Sequence, residues 1–297
     1  MAYVMDSTKD HTLGAALVVA SAAVFGLSGV MTKAISADAL TVTCWRGLIG
    51  GILMTIYVML RRGKAGQPTS LRLGWKGWLV AFVGAIASVA FIAAFKYTYV
   101  ANAAFIYATV PFATALLALL VIGERIRGKT VLAGVASLGG VALMVSSGLG
   151  GGNLFGDVLA LAMTFLSALY VVLIRLYRDT PVVWAGAVSA YLLFALGWLV
   201  TDPLAVSAID AVYLFTFGCT FALGAILWTE GARLIPAAES GLLGTAEVPF
   251  AVFFAWLFLA EVPPAASLLG GLVVLAAVFA HAGSDWHTAK RTQPATG

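Results

Sequence analysis

What most limits the folds open to this chain is a succession of long apolar runs, each too long for a soluble core helix and too continuous for a strand. The first reaches from Leu13 to Ile35 with Lys33 as its only charge. A hydrocarbon core about 30 Å thick needs about 20 apolar residues of helix. Backbone exposed to lipid must satisfy its own hydrogen bonds, which a helix does within one segment. A membrane β-barrel would instead show alternating segments of about ten residues. Spans are predicted at roughly 12–35, 39–60, 77–97, 101–122, 129–147, 155–176, 182–201, 210–231, 238–260 and 266–284. The fold class is therefore all-α integral membrane, with ten transmembrane helices.

Composition agrees. Of 297 residues, 62% are apolar and only 10% charged, whereas a soluble domain carries about 25% charged residues. The net charge of +4 would suit nucleic acid, but the basic residues collect between spans, as in membrane proteins. With the N-terminus in the cytoplasm, the inner segments hold Lys9, Arg61, Arg62, Lys64, Arg72, Lys76, Arg125, Arg127, Lys129, Arg175, Arg178, Arg233, Lys290 and Arg291, fourteen of the 17 Lys and Arg. Only Lys33, Arg46 and Lys96 remain, near outer helix ends or within a span, where long side chains snorkel. Both termini are thus expected in the cytoplasm.

Other function classes find little support. Cys44 and Cys219 both sit in apolar runs and read as small buried hydrophobes, not as a disulfide or zinc framework. His281 and His287 are six apart, whereas helical metal ligands want neighbours three or four apart. No metal, cofactor or catalytic constellation is expected. The first run exceeds the hydrophobic stretch of a cleavable leader, about 7–15 residues, and reads as the first span. Gly148-Leu149-Gly150-Gly151-Gly152-Asn153 lacks the Gly-Lys-Ser/Thr ending of a phosphate loop and reads as a linker.

Cut at that linker, the chain gives two halves, 1–150 and 151–297, of five spans each. An odd number makes the second half enter the membrane from the other side. Several features recur in order. Val110-Pro111-Phe112-Ala113 returns as Val248-Pro249-Phe250-Ala251. Glu124 and Glu261 close the fourth and ninth spans. Gly14 and Lys33 bracket the first span as Gly156 and Arg175 bracket the sixth, and Gly134 and Gly270 open the fifth and tenth. The halves read as inverted repeats. Pro111 and Pro249 fall near the bilayer midplane, where a proline removes a helical hydrogen bond and kinks the helix. Interrupted helices at matching places in inverted halves point to a transport site, so both prolines are expected to shape or gate it.

These paired Val-Pro-Phe-Ala segments, with Ile-Gly-Glu-Arg-Ile-Arg-Gly ending at Gly128, Leu-Ala-Glu-Val-Pro-Pro-Ala from Leu259 and Gly-Asp-Val-Leu-Ala-Leu-Ala from Gly156, carry a family resemblance. The chain resembles the drug/metabolite transporter superfamily in its ten-helix EamA branch. Within it, the similarity is to bacterial exporters of aromatic and other neutral amino acids. The resemblance implies a central cavity lined by spans 1, 3, 4, 6, 8 and 9, reached from either side in turn, in the multi-pass setting of the bacterial inner membrane. It implies a small-molecule substrate and the lipid bilayer as partners, and no nucleic acid; a monomer is one assembly open to such a chain, and the sequence does not fix the oligomeric state.

Candidate lining residues recur at helical spacing: Ser21, Phe25, Ser28 and Thr32 in span 1; Ser88, Phe91, Phe95 and Thr98 in span 3; Thr164, Ser167 and Tyr170 in span 6. Asn102, Tyr107 and Thr109 precede Pro111, and Trp228 lies near the inner end of span 8. Such hydroxyls either meet a solute or join helices. Glu247 is the sharpest residue, an acid deep in a span and therefore a functional hypothesis by default. It could titrate, hold a substrate ammonium or pair with Arg46. Phosphorylated substrates would want several basic residues at depth, and these are absent; span 1 also lacks the acid of a small multidrug pump. The expected substrates are neutral or zwitterionic solutes, amino acids foremost, with other metabolites or drugs as the alternative. An intramembrane enzyme would need convergent reactive groups, and a channel would need rings of charge.

Overall fold

The computed structural model describes residues 7–61, 72–148, 153–177 and 180–292. The basic loop at 62–71 and the glycine-rich linker at 149–152 lie outside the described residues. Thirteen helices follow in chain order: α1 (Ser7–Gly26), α2 (Ser28–Ala34), α3 (Ala39–Arg61), α4 (Gly74–Tyr97), α5 (Val100–Tyr107), α6 (Val110–Ile122), α7 (Gly128–Gly148), α8 (Leu154–Leu176), α9 (Val182–Val200), α10 (Ala208–Ala232), α11 (Ala237–Gly244), α12 (Glu247–Leu259) and α13 (Ala265–Thr292). Three expected spans are each two helices: α1 with α2, α5 with α6, and α11 with α12. Among the described residues nine stretches are long and apolar enough to cross a membrane, and the 17-residue run Trp184–Val200 in α9 supplies a shorter tenth. The protein is a multi-pass membrane protein.

The surface shows what solvates it. Leu199 is 84% exposed, Leu132 73% and Leu120 70%, and water would not tolerate so much contiguous apolar surface. Side chains that face lipid gain no hydrophobic stabilisation from one another, so the helices associate by close packing. Small residues allow it. Gly140 of α7 and Gly270 of α13 each sit against the other's carbonyl, so a methyl at either would push the helices apart.

Helix pairing follows a rule. α3 packs on α9 and α7 on α13, while α4 packs on α8 and α1 on α10. Exchanging each span of one half with its counterpart in the other leaves this set unchanged. Register gives the direction. Cys44, Gly47 and Gly51 climb α3 while their neighbours descend α9 from Gly197 through Leu193 and Ala190 to Ala187. These counterparts run antiparallel.

The ends of the helices sort onto two faces. On the face bearing the start of α1, His11 meets Glu239 at 2.9 Å, Arg61 meets Glu230 at 2.6 Å and Arg175 meets Glu124 at 3.3 Å. On the opposite face Lys33 meets Glu261 at 2.7 Å. There Thr98 donates to Asp157 at 2.6 Å and the Ser36 hydroxyl to Asp210. Lys96, also at that face, donates to the carbonyls of Ile35 and Thr32, which leaves it bound to a helix end and not simply reaching for water.

Asp38 lies between spans and caps α3. It accepts from the backbone of Leu40 at 2.9 Å and Thr41 at 3.0 Å, and from the Thr41 hydroxyl at 2.6 Å. Partial burial pushes its carboxyl up, but those hydrogen bonds from Thr41 and Leu40 outweigh it and hold the group below its ordinary value.

Candidate functional site

Two breaks in mid-membrane organise the interior. Between α5 and α6 the chain turns at Ala108 and Thr109; between α11 and α12 it turns at Thr245 and Ala246. Each turn uses a threonine to answer a freed carbonyl. Thr109 donates its hydroxyl to Ile106 at 2.7 Å and Thr245 donates to Leu242 at 2.6 Å. Pro111 and Pro249 come just after, in the first turn of α6 and of α12. The expected kink in a continuous helix is thus a full break placed ahead of the proline. A proline in a first turn lacks only an N–H that would have no helical partner there. Both prolines are exposed.

Glu247 is the first residue of α12, where the helix dipole favours a negative charge. Tyr107, the last residue of α5, lies close enough to interact with the Glu247 charge and hydrogen-bonds Ser167. From Tyr107 an arc of rings crosses the bundle. Phe91 stands edge-on to Tyr107 with centroids 5.7 Å apart, and Phe95 is 4.8 Å from Phe91. The Arg46 guanidinium lies 5.9 Å from the Phe91 ring centre, 5.3 Å from that of Phe217 and 4.4 Å from that of Phe221. Phe25 follows at 6.3 Å from Phe221. Residues of α1, α3, α4, α5, α10 and α12 therefore meet in one arc with an acid at one end and a base along it.

The structure brings Phe25, Ser88, Phe91, Phe95, Tyr107, Ser167 and Glu247 into or beside this arc. It turns the other candidates elsewhere. Ser21 donates to the Gly224 carbonyl at 2.8 Å, Thr32 to Ser28 at 2.8 Å, and Thr164 to Ala160 at 2.8 Å. Ser28 is buried beneath Thr32. Thr98 and Asn102 both donate to Asp157, at 2.6 and 3.2 Å, and Thr109 serves its own turn. Ser21, Thr98 and Asn102 thus join helices, while Thr32, Thr164 and Thr109 bond carbonyls of their own turn. Tyr170 packs into an apolar cluster with Val80, Val83 and Leu173. Trp228 is 36% exposed and covers Gly244.

Arg46 departs most from expectation. It neither reaches for the surface nor pairs with Glu247. It is 5% exposed and donates to the Ser88 hydroxyl. The reason is steric: Ser88 and Phe91 of α4 and Phe217 and Phe221 of α10 surround its guanidinium. Phe217, Phe221 and Asp157 are also new to the interior. A charge or ring inside a span marks each of them in the sequence, but nothing there says which way it turns.

A second opening lies nearer the face of the α1 start. A cavity of about 190 Å³ is bounded by Pro111 and Phe112 of α6, Gly241 and Leu242 of α11, Thr245, and Val278 and His281 of α13. Towards the opposite face, α5 packs directly on α12. The broken spans thus touch through one pair of half-helices and flank a cavity with the other.

Paired helical repeats with matching breaks define a multi-pass membrane protein of the repeated type. The EamA-like transporter family model matches residues 12–146 and again 154–281, and the chain belongs to that family. It is 29% identical over 254 residues to an uncharacterized protein of Pseudomonas aeruginosa, covering 81% of this chain and 85% of the relative. A crystal structure of another protein superposes with a TM-score of 0.63 at 18% identity, covering 96% of this chain and 99% of the other. That likeness supports the fold alone.

Proposed function

We propose that this transporter exports small organic solutes, aromatic and other large neutral amino acids foremost, by alternating access across the bacterial inner membrane. Its halves, 1–150 and 151–297, act as inverted repeats around the arc from Phe25 to Glu247, with both termini in the cytoplasm. One observation carries the reading. The Lys33–Glu261 pair, formed by the ends of α2 and α12, has a counterpart in the Arg175–Glu124 pair at the ends of α8 and α6. The first is short and sheltered, at 2.7 Å with Glu261 side chain 9% exposed; the second is 3.3 Å long with Glu124 side chain 42% exposed. Repeats related by exchange, with one latch tight and the other loose, are what a carrier closed on one face presents. The aromatic arc suits a large apolar side chain, and the fourteen basic residues between and beyond the spans support this orientation.

The test is flux in proteoliposomes holding the purified protein. Saturable uptake of phenylalanine or tryptophan, accelerated by the same solute on the far side, is the expected result. Linear, non-saturating flux would indicate a channel, and chemical conversion of the solute an enzyme. A cysteine at Gly128 should react with an impermeant reagent only from the cytoplasm, and one at Leu204 only from outside. The reverse pattern would overturn the orientation.

A further inference from the structure

Arg46 is a cation inside the bundle with no anion to match it. Its side chain is 5% exposed, and its Nε is buried without a hydrogen-bond partner. Among the described residues no carboxylate forms an ion pair with it: the interhelical acids Glu124, Glu230, Glu239 and Glu261 are engaged with Arg175, Arg61, His11 and Lys33. Asp157 and Asp210 are held by Thr98, Asn102 and Ser36. What surrounds the guanidinium is Phe91, Phe217, Phe221 and the Ser88 hydroxyl. Ring faces attract a cation but carry no net charge. A buried charge without a counter-charge is strongly unfavourable in so poor a dielectric. An ionisable residue in a span that faces the interior is a functional-site hypothesis by default, and a cation with no counter-charge there is complementary to an anion.

We infer that Arg46 is the anchor for a carboxylate on the transported solute, and that the ring cage of Phe91, Phe217 and Phe221 holds the apolar part beside it. The guanidinium fork matches a carboxylate in two parallel hydrogen bonds, and Nε is one of the donors such a fork uses. Ser88 accepts from Nη2, while Nε keeps its N–H for a ligand. A single arginine balances one carboxylate and would not balance a phosphate ester. Glu247 is linked to the same arc through Tyr107 and Phe91. It supplies the opposite sign for a zwitterion's ammonium. The inference rests on the transport reading for its occupant and deepens it by naming the recognised group.

The experiment uses the full chain and a matched set: phenylalanine, its carboxamide, phenethylamine and 3-phenylpropionate. Thermal unfolding in detergent reads binding, and competition against phenylalanine counterflow reads transport. The parent should favour the carboxylate-bearing members, and Arg46→Gln should erase that preference by about tenfold or more. Arg46→Lys keeps the charge without the fork and should fall between. Ser88→Ala, which removes one neutral hydroxyl, gives a milder loss confined to carboxylates, and serves if Arg46→Gln does not fold. A parent that ignores the carboxylate, or an Arg46→Gln variant that still discriminates, overturns the inference even if amino-acid flux is intact. If carboxylates raise the unfolding temperature only when Arg46 is present, yet nothing crosses the membrane, the anchor stands and the transport reading falls.

Discussion

Glu124 and Glu261 occupy the same place in the two repeats, one residue past a left-handed helix cap, and they behave differently. Each donates its backbone N–H six residues back, to Ala118 and to Ala255, both at 3.2 Å, the closure of a Schellman-type end. The caps are Gly123 at φ 76° and Ala260 at φ 49°. The carboxylates then part company. Glu261 is folded in, bonded to Lys33 and to the backbone N–H of Val100, so it also ties α12 to the start of α5. Glu124 meets Arg175 in the open, where an ion pair contributes little. Equivalent residues thus do unequal work in this state. In the alternating-access reading proposed above, that inequality reverses when the other face closes.

The largest expected effect comes from unpairing the sheltered latch. Glu261→Gln leaves Lys33 and the Val100 N–H without their anionic partner. A cysteine at Tyr99 should then react with an impermeant maleimide on the order of tenfold faster, because breaking a sheltered pair costs several kcal/mol. Exchanging the charges, Lys33→Glu with Glu261→Lys, should restore much of the protection. Glu124→Gln should leave that rate unchanged. Equal acceleration by the two glutamine variants would end the comparison.

Second in size is the asymmetry at the breaks. Aligning the Val-Pro-Phe-Ala segments puts Glu247 where the first repeat has Thr109. If the charge serves energy coupling, Glu247→Gln should keep counterflow and abolish accumulation driven by a proton gradient, while Thr109→Val should alter neither. Weaker substrate affinity in both assays would instead assign Glu247 to the substrate ammonium.

The two remaining effects are near 1 kcal/mol. An alanine in the left-handed region is strained by about 1 kcal/mol or slightly more, so Ala260→Gly should raise the unfolding temperature in detergent, and Gly123→Ala should lower it. A shift of the same sign in both would show that the caps are not equivalent. The helices that follow the first turns differ as well: α3 is capped by Asp38, whereas α9 starts at Pro181 with no side-chain cap. Asp38→Asn keeps a capping oxygen but loses the charge at the helix start, and should destabilise by up to about 1 kcal/mol at neutral pH. Because the folded carboxyl sits below its ordinary value of 3.8, its contribution is present above that value and fades as pH falls through the folded one. The gap between parent and variant should therefore close in acid; a gap independent of pH would mean the charge is immaterial to the cap.

Much of the fold is legible in the sequence, because span length and turn chemistry are local properties. The matched order of Gly14, Lys33, Gly156 and Arg175, and of Glu124 and Glu261, is read there as two sets of equivalent residues. That they form two crossed pairs is a tertiary fact. The site is less legible. A stripe of Ser and Thr looks the same whether its hydroxyls face a cavity or bond the carbonyl one turn back, as Thr32 and Thr164 do. A lone arginine near a span's end reads as snorkelling until the helices around it are placed, and Arg46 is enclosed by residues of α4 and α10. The break after Gly26 has no proline to announce it; there α12 brings the Phe250 backbone against the glycine.

Two of the tightest contacts in the bundle, α3 on α9 and α7 on α13, join a helix to its own counterpart. Surfaces that bind their own equivalents are isologous, the kind that builds twofold homodimers. Two separate five-helix chains, inserted in opposite senses, would meet through the same glycine-lined seams without inventing an interface. The segment between Gly148 and Asn153 acts, on this view, as a tether that raises the local concentration of partners already shaped for each other.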